Sequence, residues 1–442
     1  MLTFLRQNAE KIVFGIGVAA AIFAYGVAAA KYRIFPHDLL QHAFAAARDW
    51  QDNWRHYLGI RSNWVQDSPR AGGVTINDKD RAWQGQTFVS LYRNGSFGGV
   101  LLDMDGKVLH EWSLPLQEIW GKAGYEKAPM PDVDAAPHGV AMLPNGDVVM
   151  AMAGAALTRI DACSRVVWSV PLRSHHTVDI LPNGEILVPG TETYSKPVAK
   201  WPRLRPGETG YFEDGLLNRV SPDGKLLESI SVSDVIYDSD WTSLIFAGRG
   251  SRFSMAEEDP YHLNDVEMLR PEMAAAFPMF AAGDLLVDLR NLQTMLVVDG
   301  TTHKIKWKMT GPFFGEHDPD FAPNGHIILF DNRITGSKPQ LGYSKIMEID
   351  PATKEVVWTY SGTDADPMYS NIGGRVQWLP NGNILVGEPQ AGRVFELARD
   401  ANGNGEIVWQ FVNQIAPGTI GMLFDVERVP PITEPWVGKA CN

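Results

Sequence analysis

The chain has 442 residues, of which 45% are hydrophobic and 21% are charged, and its formal net charge at pH 7 is −13. These values are ordinary for a globular protein, and the acidic balance argues against nucleic-acid binding, because neutralising phosphates requires a basic face. The sequence contains two cysteines, which is too few for a metal cluster built from cysteine ligands.

The N-terminus predicts a membrane anchor over residues 1–34. Ile12–Ala30 is a run of 19 residues without a charge, and at a rise of about 1.5 Å per residue a helix of this length spans a bilayer. A cleaved signal peptide is the alternative, since Ala28–Ala30 resembles a cleavage site, but Lys31 and Arg33 follow at once. We expect an uncleaved single-pass anchor in the inner membrane, with a β-rich body in the periplasm.

Residues 35–66 predict an amphipathic helical stalk. Apolar side chains recur there at steps of three or four, which places them on one helix face: Leu40, Phe44, Ala47, Trp50 or Gln51, Trp54 and Tyr57. Two interpretations stay open. The stripe packs on its own domain, or it contacts a membrane-protein partner or a second protomer.

Residues 67–442 predict a six-bladed β-propeller, so the fold class is all-β after the anchor and stalk. Six units repeat the pattern strand, turn, strand, strand, turn, strand at a spacing of roughly 35–60 residues, which is typical of propeller blades. The tail Gly418–Val429 is expected to add a strand that closes the ring. A tryptophan near the end of the last strand of five units is expected to fill the space between blades: Trp112, Trp168, Trp307, Trp358 and Trp409.

A histidine recurs at one position of the repeat. His138, His176 and His317 each lie six residues before the proline of a Pro-Asn-Gly turn, and His262 holds the equivalent place before a longer insert. The last copy carries Gly374 there. Because the inner strands of a propeller converge on its axis, we expect the four histidines to meet at one mouth of the channel. The bland alternative is that each histidine only caps its strand.

Two further features bear on this mouth. A carboxylate follows three of the histidines by three residues, at Asp179, Asp265 and Asp320, and we expect it to fix the tautomer of its imidazole. The inserts Thr191–Phe212 and Val235–Tyr261 are rich in proline, glycine and aromatic residues, and inserts of this length are expected to cover one mouth.

Several of these segments resemble the bacterial arylsulfotransferases, a family of cofactor-independent aryl-sulfate sulfotransferases. The similar runs are HLND, DLLVDLRN and KIKW within 262–307, EHDPDF, NGHIILFDNR, GGRVQWLPNGNILVG and the opening VLLDMDGKVLHEW. The resemblance covers most of residues 85–412. It implies a six-bladed periplasmic propeller that moves a sulfuryl group from one phenol ester to another phenol through a sulfated histidine, with no cofactor required.

The resemblance also implies site residues. His262 and His317 match two pocket histidines of the family, and Arg333 matches the arginine that clamps the sulfate, which makes these three the expected catalytic residues. The expected substrate-binding residues are His138, His176, Arg290 and Asn332. The family nucleophile is a further histidine, expected in the following blade. This sequence departs from the pattern there, since residues 369–374 read YSNIGG and no histidine follows His326.

The departure leaves two functions from different classes. Either another histidine, such as His138 or His176, takes over the role of the nucleophile in an anchored enzyme that acts on a small aryl sulfate or a similar anion, or the propeller is a non-catalytic interaction or structural subunit of a membrane-associated complex. Four convergent histidines also suit zinc or another divalent ion. A quinone-cofactor propeller is disfavoured, because its usual eightfold repetition is absent.

Two smaller signals remain. Asp400, Asn402 and Asn404 match the start of an EF-hand calcium loop, but Phe411 stands where the loop needs a glutamate, so a plain hairpin turn is the preferred interpretation. Cys163 and Cys441 are either two free thiols or a disulfide that ties the C-terminus to the second repeat in an oxidising compartment.

Overall fold

The computed structural model describes residues 8–32, 34–58, 60–152, 154–206, 210–247, 258–334, 341–438 and 441. The chain divides into two compact units between Asn63 and Trp64. The second unit therefore begins three residues before the expected boundary at 67.

The described residues of the first unit form two helices, α1 (Ala9–Tyr32) and α2 (His37–Tyr57). Helix α1 is long and apolar enough to cross a membrane by length and composition, with a mean hydropathy of 2.2 over its best window. Helix α2 confirms the helical periodicity of the stalk. Leu40, Phe44 and Trp50 of its apolar stripe are exposed within this unit.

The part of the second unit that the structure describes is built from β-strands, with three short α-helices between them. The helices are α3 (Leu116–Lys122), α4 (Val232–Asp238) and α5 (Leu244–Ala247). In chain order the strands are β1 (Val65–Asp67), β2 (Gly73–Asn77), β3 (Gln86–Arg93), β4 (Ser96–Leu102), β5 (Val108–Ser113), β6 (Pro137–Met142), β7 (Val148–Met152), β8 (Ala156–Ile160), β9 (Val166–Val170), β10 (Asp179–Ile180), β11 (Ile186–Tyr194), β12 (Phe212–Val220), β13 (Leu226–Ser231) and β14 (Leu263–Met268). The series continues with β15 (Leu285–Leu289), β16 (Thr294–Val298), β17 (Ile305–Thr310), β18 (His317–Phe321), β19 (Ile327–Asp331), β20 (Lys345–Asp350), β21 (Glu355–Tyr360), β22 (Arg375–Trp378), β23 (Ile384–Glu388), β24 (Arg393–Arg399), β25 (Gly405–Val412), β26 (Gln414–Ala416), β27 (Thr419–Gly421) and β28 (Leu423–Val429).

These strands form a propeller. The described residues contain six antiparallel sheets of four or five strands, and a separate three-stranded sheet of β1, β27 and β26. Neighbouring sheets contact each other through their first strands, β10 with β14, β14 with β18, β18 with β22, β22 with β28 and β28 with β6. Strand β6 lies against the segment before β10, since a Cβ on Gly139 would fall 1.4 Å from the carbonyl oxygen of His176.

Both ends of the second unit close this ring. Strand β28, from the C-terminal tail, pairs with β3 and becomes the innermost strand of the sheet formed by β3, β4 and β5. Strand β2 pairs with β25 at the outer edge of the preceding sheet. The prediction that the tail adds a closing strand is confirmed.

The recurring tryptophans lie between sheets, as predicted, and each donates a hydrogen bond to a turn of the next sheet. Trp112 Nε1 donates to Gly146 O at 3.0 Å, and Trp307 Nε1 donates to Pro351 O at 2.8 Å. Trp409 Nε1 donates across the closure to Met104 O at 2.9 Å. The same residue type therefore seals one interface after another, with a backbone carbonyl as its polar partner.

Cys163 and Cys441 form a disulfide, with Cα atoms 5.3 Å apart and 278 residues of separation. Of the two alternatives that the sequence left open, free thiols or a disulfide, the structure contains the disulfide. The bond ties the end of the chain to the turn between β8 and β9. A crosslink that closes a long loop stabilises the fold by restricting the unfolded chain.

Replacing Cys163 with serine is expected to lower the free energy of unfolding by about 2–4 kcal/mol. Thermal unfolding of the variant and of the wild type, each with and without reductant, measures this effect. The reductant should lower the Tm of the wild type to that of the variant and leave the variant unchanged. A wild-type Tm that does not respond to complete reduction would contradict the expected stabilisation.

Candidate functional site

A cavity of about 380 Å³ lies at the mouth where the inner strands begin. His138 is on β6, His317 is the first residue of β18, His262 immediately precedes β14, and His176 lies three residues before the start of β10. All four line the cavity, together with His175. The structure therefore brings the predicted histidines together, while their chemical roles stay predictions.

The imidazoles are in contact with one another, with His176 at the centre. Its Nε2 lies 3.1 Å from Nε2 of His262, a distance that requires one proton between the two nitrogens. The ring centroid of His176 is 4.9 Å from that of His175, 5.4 Å from that of His317 and 5.6 Å from that of His138. His176 and His262 have φ angles of 59° and 45°, a strained conformation that is concentrated at functional sites.

Two of the imidazoles have fixed partners at Nδ1. His262 Nδ1 contacts Asp259 Oδ2, and the same carboxylate accepts the backbone N–H of His262 at 2.8 Å. His317 Nδ1 lies 2.8 Å from Asn332 Oδ1. Each nitrogen faces an oxygen and therefore carries the proton, which leaves Nε2 as the other functional atom of the ring.

The expectation that Asp179, Asp265 and Asp320 fix these tautomers is wrong. Asp179 pairs with Arg270, and all three carboxylates line a second cavity of about 410 Å³ further along the channel. The reason is geometric, since three residues of extended strand span about 10 Å. The carboxylate that does contact His262 precedes it by three residues, at the end of an insert.

Burial keeps most of the cluster neutral. It lowers the pKa of His138 to about 4 and the pKa of His175 to about 3, and His262 lowers both further. Burial and then the neighbouring Arg290 lower the pKa of His317 to about 3. The pKa of His176 lies well below its ordinary value for the same first reason, burial. These rings present neutral nitrogen atoms at pH 7.

Arg290 is the cationic side chain that faces the cavity with the fewest partners. Among the described residues its guanidinium makes one long hydrogen bond, to Asn291 Oδ1 at 3.4 Å. Two other arginines that line the cavity are engaged: Arg173 with Glu213 at 2.7 Å, and Arg375 with both Asp318 and Asp425. Arg290 therefore offers a guanidinium fork to an anion.

Arg333, the expected sulfate clamp, lies outside the residues that line the cavity. Its Nε donates to Leu341 O at 2.8 Å, and its Nη1 is 3.8 Å from Asp331. Asn332 likewise lies behind the lining, fully buried, with its amide oxygen on His317. Arg333 and Asn332 therefore lie outside the cavity lining, where Arg290 supplies the guanidinium, and Asn332 contacts a histidine rather than open space. The roles expected of both residues stay predictions.

An apolar wall faces these polar groups. Trp64, Ile372 and Phe424 line the cavity, and the ring of Phe424 stacks on His138 with centroids 4.8 Å apart. Trp64 and Phe424 pack edge to face at 5.5 Å. The cavity lining therefore combines aromatic rings with imidazoles and a guanidinium, a composition that suits a ligand with an aryl part and an anionic part.

The position where the repeat lacks its histidine has a steric explanation. Gly374 has a φ of 149°, and a Cβ at this residue would lie 2.4 Å from Cγ of Phe330. A side chain does not fit there without moving a buried ring. Gly373 and Gly374 both line the cavity through their backbone.

A pair of buried acids lies behind Arg290. Glu316 and Asp288 are 0% exposed, and the two carboxyl groups lie close enough to share a hydrogen bond, which requires a proton on one of them. Burial raises the pKa of Glu316 to about 8, and burial followed by Glu316 raises the pKa of Asp288 well above its ordinary value. The folded protein therefore binds protons here that the unfolded chain releases.

Replacing Glu316 with glutamine is expected to relieve a loss of stability at alkaline pH. A raised carboxyl pKa contributes stability that is complete below the unfolded pKa, near 4.5, and is lost as pH rises to about 8. The Tm of the variant should therefore gain on that of the wild type as pH rises from 5 to 8.5. A constant difference between the two across this range would contradict a neutral Glu316.

Glu348→Gln is the matched control, because this buried acid titrates in the opposite sense. Burial alone would raise its pKa, but hydrogen bonds from His326 and Asn324 lower it. Its contribution is present above the unfolded pKa and is lost as pH falls. The destabilisation by this substitution should therefore be larger at pH 7 than at pH 3.5.

The loop that resembles an EF-hand is a hairpin between β24 and β25. Asp400 Oδ1 accepts the backbone N–H groups of Asn402 and Asn404, each at 2.8 Å, and Oδ2 accepts Asn404 Nδ2 at 2.9 Å. Within the described part of the chain, no group of three His, Cys, Asp or Glu side chains is arranged to hold a metal ion.

Sequence reasoning missed several residues of the cavity. His175 is adjacent to a predicted histidine and carried a signal of its own, the His-His pair. Asp259, Trp64 and Phe424 reach the cavity from an insert, from the start of the unit and from the closing strand. Their sequence positions lie outside the repeat frame, so the repeat could not indicate them.

Comparison with known proteins identifies a family. The model of the arylsulfotransferase (ASST) family matches residues 139–414. A comparison with curated proteins gives no match. Similar solved structures include a protein of unknown function from Bacteroides caccae, with 13% identity over 80% of this chain and 100% of that chain and a TM-score of 0.49. They also include the WD40 β-propeller domain of Doa1, with 11% identity over 77% and 85% of the two chains and a TM-score of 0.39, and the virginiamycin B lyase of Staphylococcus aureus, with 10% identity over 62% and 70% and a TM-score of 0.35.

Proposed function

Because the chain belongs to the arylsulfotransferase (ASST) family, we propose that its histidine cavity binds an aryl sulfate and transfers the sulfuryl group to a phenol. A sulfate monoester is an anion attached to an aromatic ring. Transfer requires cationic or N–H donors for the sulfate oxygens, a nucleophile that is free of a proton, and an acid for the departing phenoxide.

The observation that carries the proposal is the pairing of Arg290 with neutral imidazoles across one cavity. The Arg290 guanidinium has one long hydrogen bond among the described residues, so its donors are available for two sulfate oxygens. The neutral imidazoles of the cavity supply a nucleophile for sulfur, and His262, held between Asp259 and His176, supplies an acid. Each chemical requirement thus has a side chain in the cavity.

The aromatic wall supports the choice of an aryl ester. Trp64, Ile372 and Phe424 lie on the cavity surface, where they bury an aromatic ring while the sulfate faces Arg290. Burial of an aromatic ring contributes binding free energy without any demand on ring substituents, so several phenols are expected to serve as donors and acceptors.

We further propose that the propeller lies in the periplasm, anchored in the inner membrane by α1. Helix α1 has the length and composition of a membrane span. The disulfide between Cys163 and Cys441 is compatible with an oxidising compartment. The test is protease accessibility of the propeller in spheroplasts compared with intact and lysed cells. Protection of the propeller in spheroplasts would contradict this placement.

The experiment that tests the function is release of a chromogenic phenol from its sulfate ester in the presence of a second phenol. His262→Gln removes the imidazole that shares a proton with His176, and kcat is expected to fall by about 10²-fold or more. His326→Gln is the matched control, since this imidazole bonds Glu348 on a blade turn away from the cavity. Equal activity of the wild type and His262→Gln would contradict the proposal.

One observation favours a second function. Gly374 stands where the repeat predicts a histidine, and the buried ring of Phe330 leaves no space for a side chain at that position. In this second function the cavity binds an anion and transfers no group. The protein then serves as a subunit that organises a membrane-associated complex through its cavity or its stalk. Calorimetry with inorganic sulfate distinguishes the two functions. Binding that depends on Arg290, without phenol release from any of several donors by folded protein, would favour this alternative.

A further inference from the structure

We propose that His317 is the nucleophile of this chain, and that Asn332 is the positioning residue that aims the lone pair of its Nε2 into the cavity. The inference rests on the proposed function, because it names the atom that would carry the sulfuryl group. It replaces the expectation that His138 or His176 takes over the role of the histidine missing from the last blade.

The first step of the argument is the orientation of the Asn332 amide. Its Nδ2 donates to Ser370 O at 3.0 Å and also to Gly373 O. Two carbonyl oxygens on one side identify that side as the NH₂ group. The amide oxygen must therefore face His317, and Asn332 is 0% exposed, so the packing holds it there.

The second step is the tautomer of His317. Its Nδ1 lies 2.8 Å from Asn332 Oδ1 and 3.2 Å from Gly315 O. Both neighbours are acceptors, so Nδ1 must donate and carries the ring proton of the neutral imidazole. Nε2 is then unprotonated, and its lone pair is available to attack an electrophile.

The third step compares the other histidines. His176 Nε2 is engaged with His262 Nε2 at 3.1 Å. His262 is held between that contact and Asp259, which suits proton transfer. The Nδ1 atoms of His138 and His175 have no partner among the described residues, so no acceptor or donor there selects a tautomer. His317 is the histidine of the cavity whose nucleophilic nitrogen is defined by its surroundings.

The segment that lacks the family histidine takes part in this arrangement. Residues 370–373 supply the two carbonyl oxygens that orient Asn332. The last blade thus contributes backbone acceptors where the resemblance leads one to expect an imidazole. The nucleophile and its orienting residue come instead from the β18–β19 hairpin. His317 is the first residue of β18, and Asn332 directly follows β19.

The reaction balances without a further reactant. The lone pair of His317 Nε2 attacks sulfur, an N–S bond forms, and the S–O bond to the aryl oxygen breaks with its electron pair on the departing phenoxide. The phenoxide takes the Nε2 proton of His262, which reacts as the imidazolium, with its Nδ1 proton on Asp259 and its Nε2 proton on His176 Nε2. The sulfated ring retains its Nδ1 proton on Asn332 and so carries a positive charge, which makes it a good leaving group. An acceptor phenol then attacks sulfur and returns a proton to His262, while the N–S pair returns to Nε2.

Covalent labelling tests the assignment. The full chain is incubated with an aryl sulfate in the absence of acceptor, quenched in base, and digested for mass spectrometry. We expect one sulfuryl group per chain on the peptide that contains His317, no label in His317→Gln, and a fall in kcat/KM of at least about 10³-fold in that variant. His326→Gln should label and turn over like the wild type.

Label on His138, His175, His176 or His262 would overturn the assignment and leave the sulfotransferase function intact. Donor turnover without any labelled histidine would overturn the covalent step. No turnover and no label in folded wild-type protein would overturn the proposed function itself. The positioning role of Asn332 is then tested separately, by the protonation state of the His317 ring. Nitrogen-15 shifts of the His317 ring should show protonated Nδ1 in the wild type and loss of that state in Asn332→Ala. A resting wild-type ring protonated at Nε2 would contradict the positioning role.

Discussion

Arg290→Gln is expected to lower kcat/KM for an aryl sulfate by about 10²–10³-fold, the usual cost of removing one preorganised donor to a developing charge. The reason is that Arg290 brings a positive charge and a donor fork to the cavity, and the alternative arginines are already paired. Steady-state kinetics with a chromogenic donor measure the loss.

Two variants bracket this result. Arg290→Lys retains the charge without the planar fork, and its activity should lie between those of the wild type and the glutamine variant. Arg219→Gln is the matched control, since Arg219 pairs with Glu185 and Glu228 at the blade surface. The expected clamp Arg333 is directly comparable, and a larger loss for Arg333→Gln than for Arg290→Gln would show that the cavity described here is not the sulfate site.

Trp409→Ala is expected to lower the free energy of unfolding by about 3–5 kcal/mol, the range for removing a large buried aromatic side chain. Trp409 is 0% exposed, donates to Met104 O and lies under the guanidinium of Arg428, 4.3 Å from its ring centroid. The substitution empties the interface where the first and last sheets meet, so it weakens the closure of the ring. Urea denaturation followed by circular dichroism measures the change.

The tryptophan series also supplies the control for this result. Trp168 makes the same kind of bond, to Pro222 O at 3.0 Å, but it is only half-buried. Trp168→Ala should therefore cost clearly less. Trp409→Phe retains most of the volume and loses the N–H donor, and it should fall between the wild type and the alanine variant. Equal losses in the free energy of unfolding for Trp168→Ala and Trp409→Ala would contradict the claim that the closing interface contributes more to stability than the interface at Trp168.

The repeat made the fold predictable, because each cassette carries its own turn and strand signals. Gly146 and Gly325 of the Pro-Asn-Gly turns have φ angles of 84° and 87°, a conformation that glycine adopts without strain. Equivalent residues of the inner strands of a propeller meet at its axis. Four of the five histidines that line the cavity could therefore be predicted from their spacing in the sequence. The tail strand and the tryptophan contacts followed from the same periodicity.

The chemistry of the site was less predictable, because it depends on contacts between distant segments. The partner of His262 is Asp259, which lies in an insert outside the repeat frame, and the carboxylates inside the frame point further along the channel. Arg290 and Arg333 each follow the second strand of a blade, β15 and β19. The sequence does not indicate which of the two side chains reaches the cavity. The tautomer of His317 depends on carbonyl groups of Ser370 and Gly373, which any residue type supplies.

The central claim is transfer of a sulfuryl group at the histidine cavity, and the most direct measurement follows sulfur-labelled donor in the presence of an unlabelled acceptor phenol. We predict that wild-type protein moves the label to the acceptor phenol, that little label appears as inorganic sulfate, and that the transfer falls by about 10²–10³-fold in Arg290→Gln and by at least about 10³-fold in His317→Gln. Label that stays on the donor, or appears only as inorganic sulfate, with folded wild-type protein and several donors and acceptors, would contradict the claim.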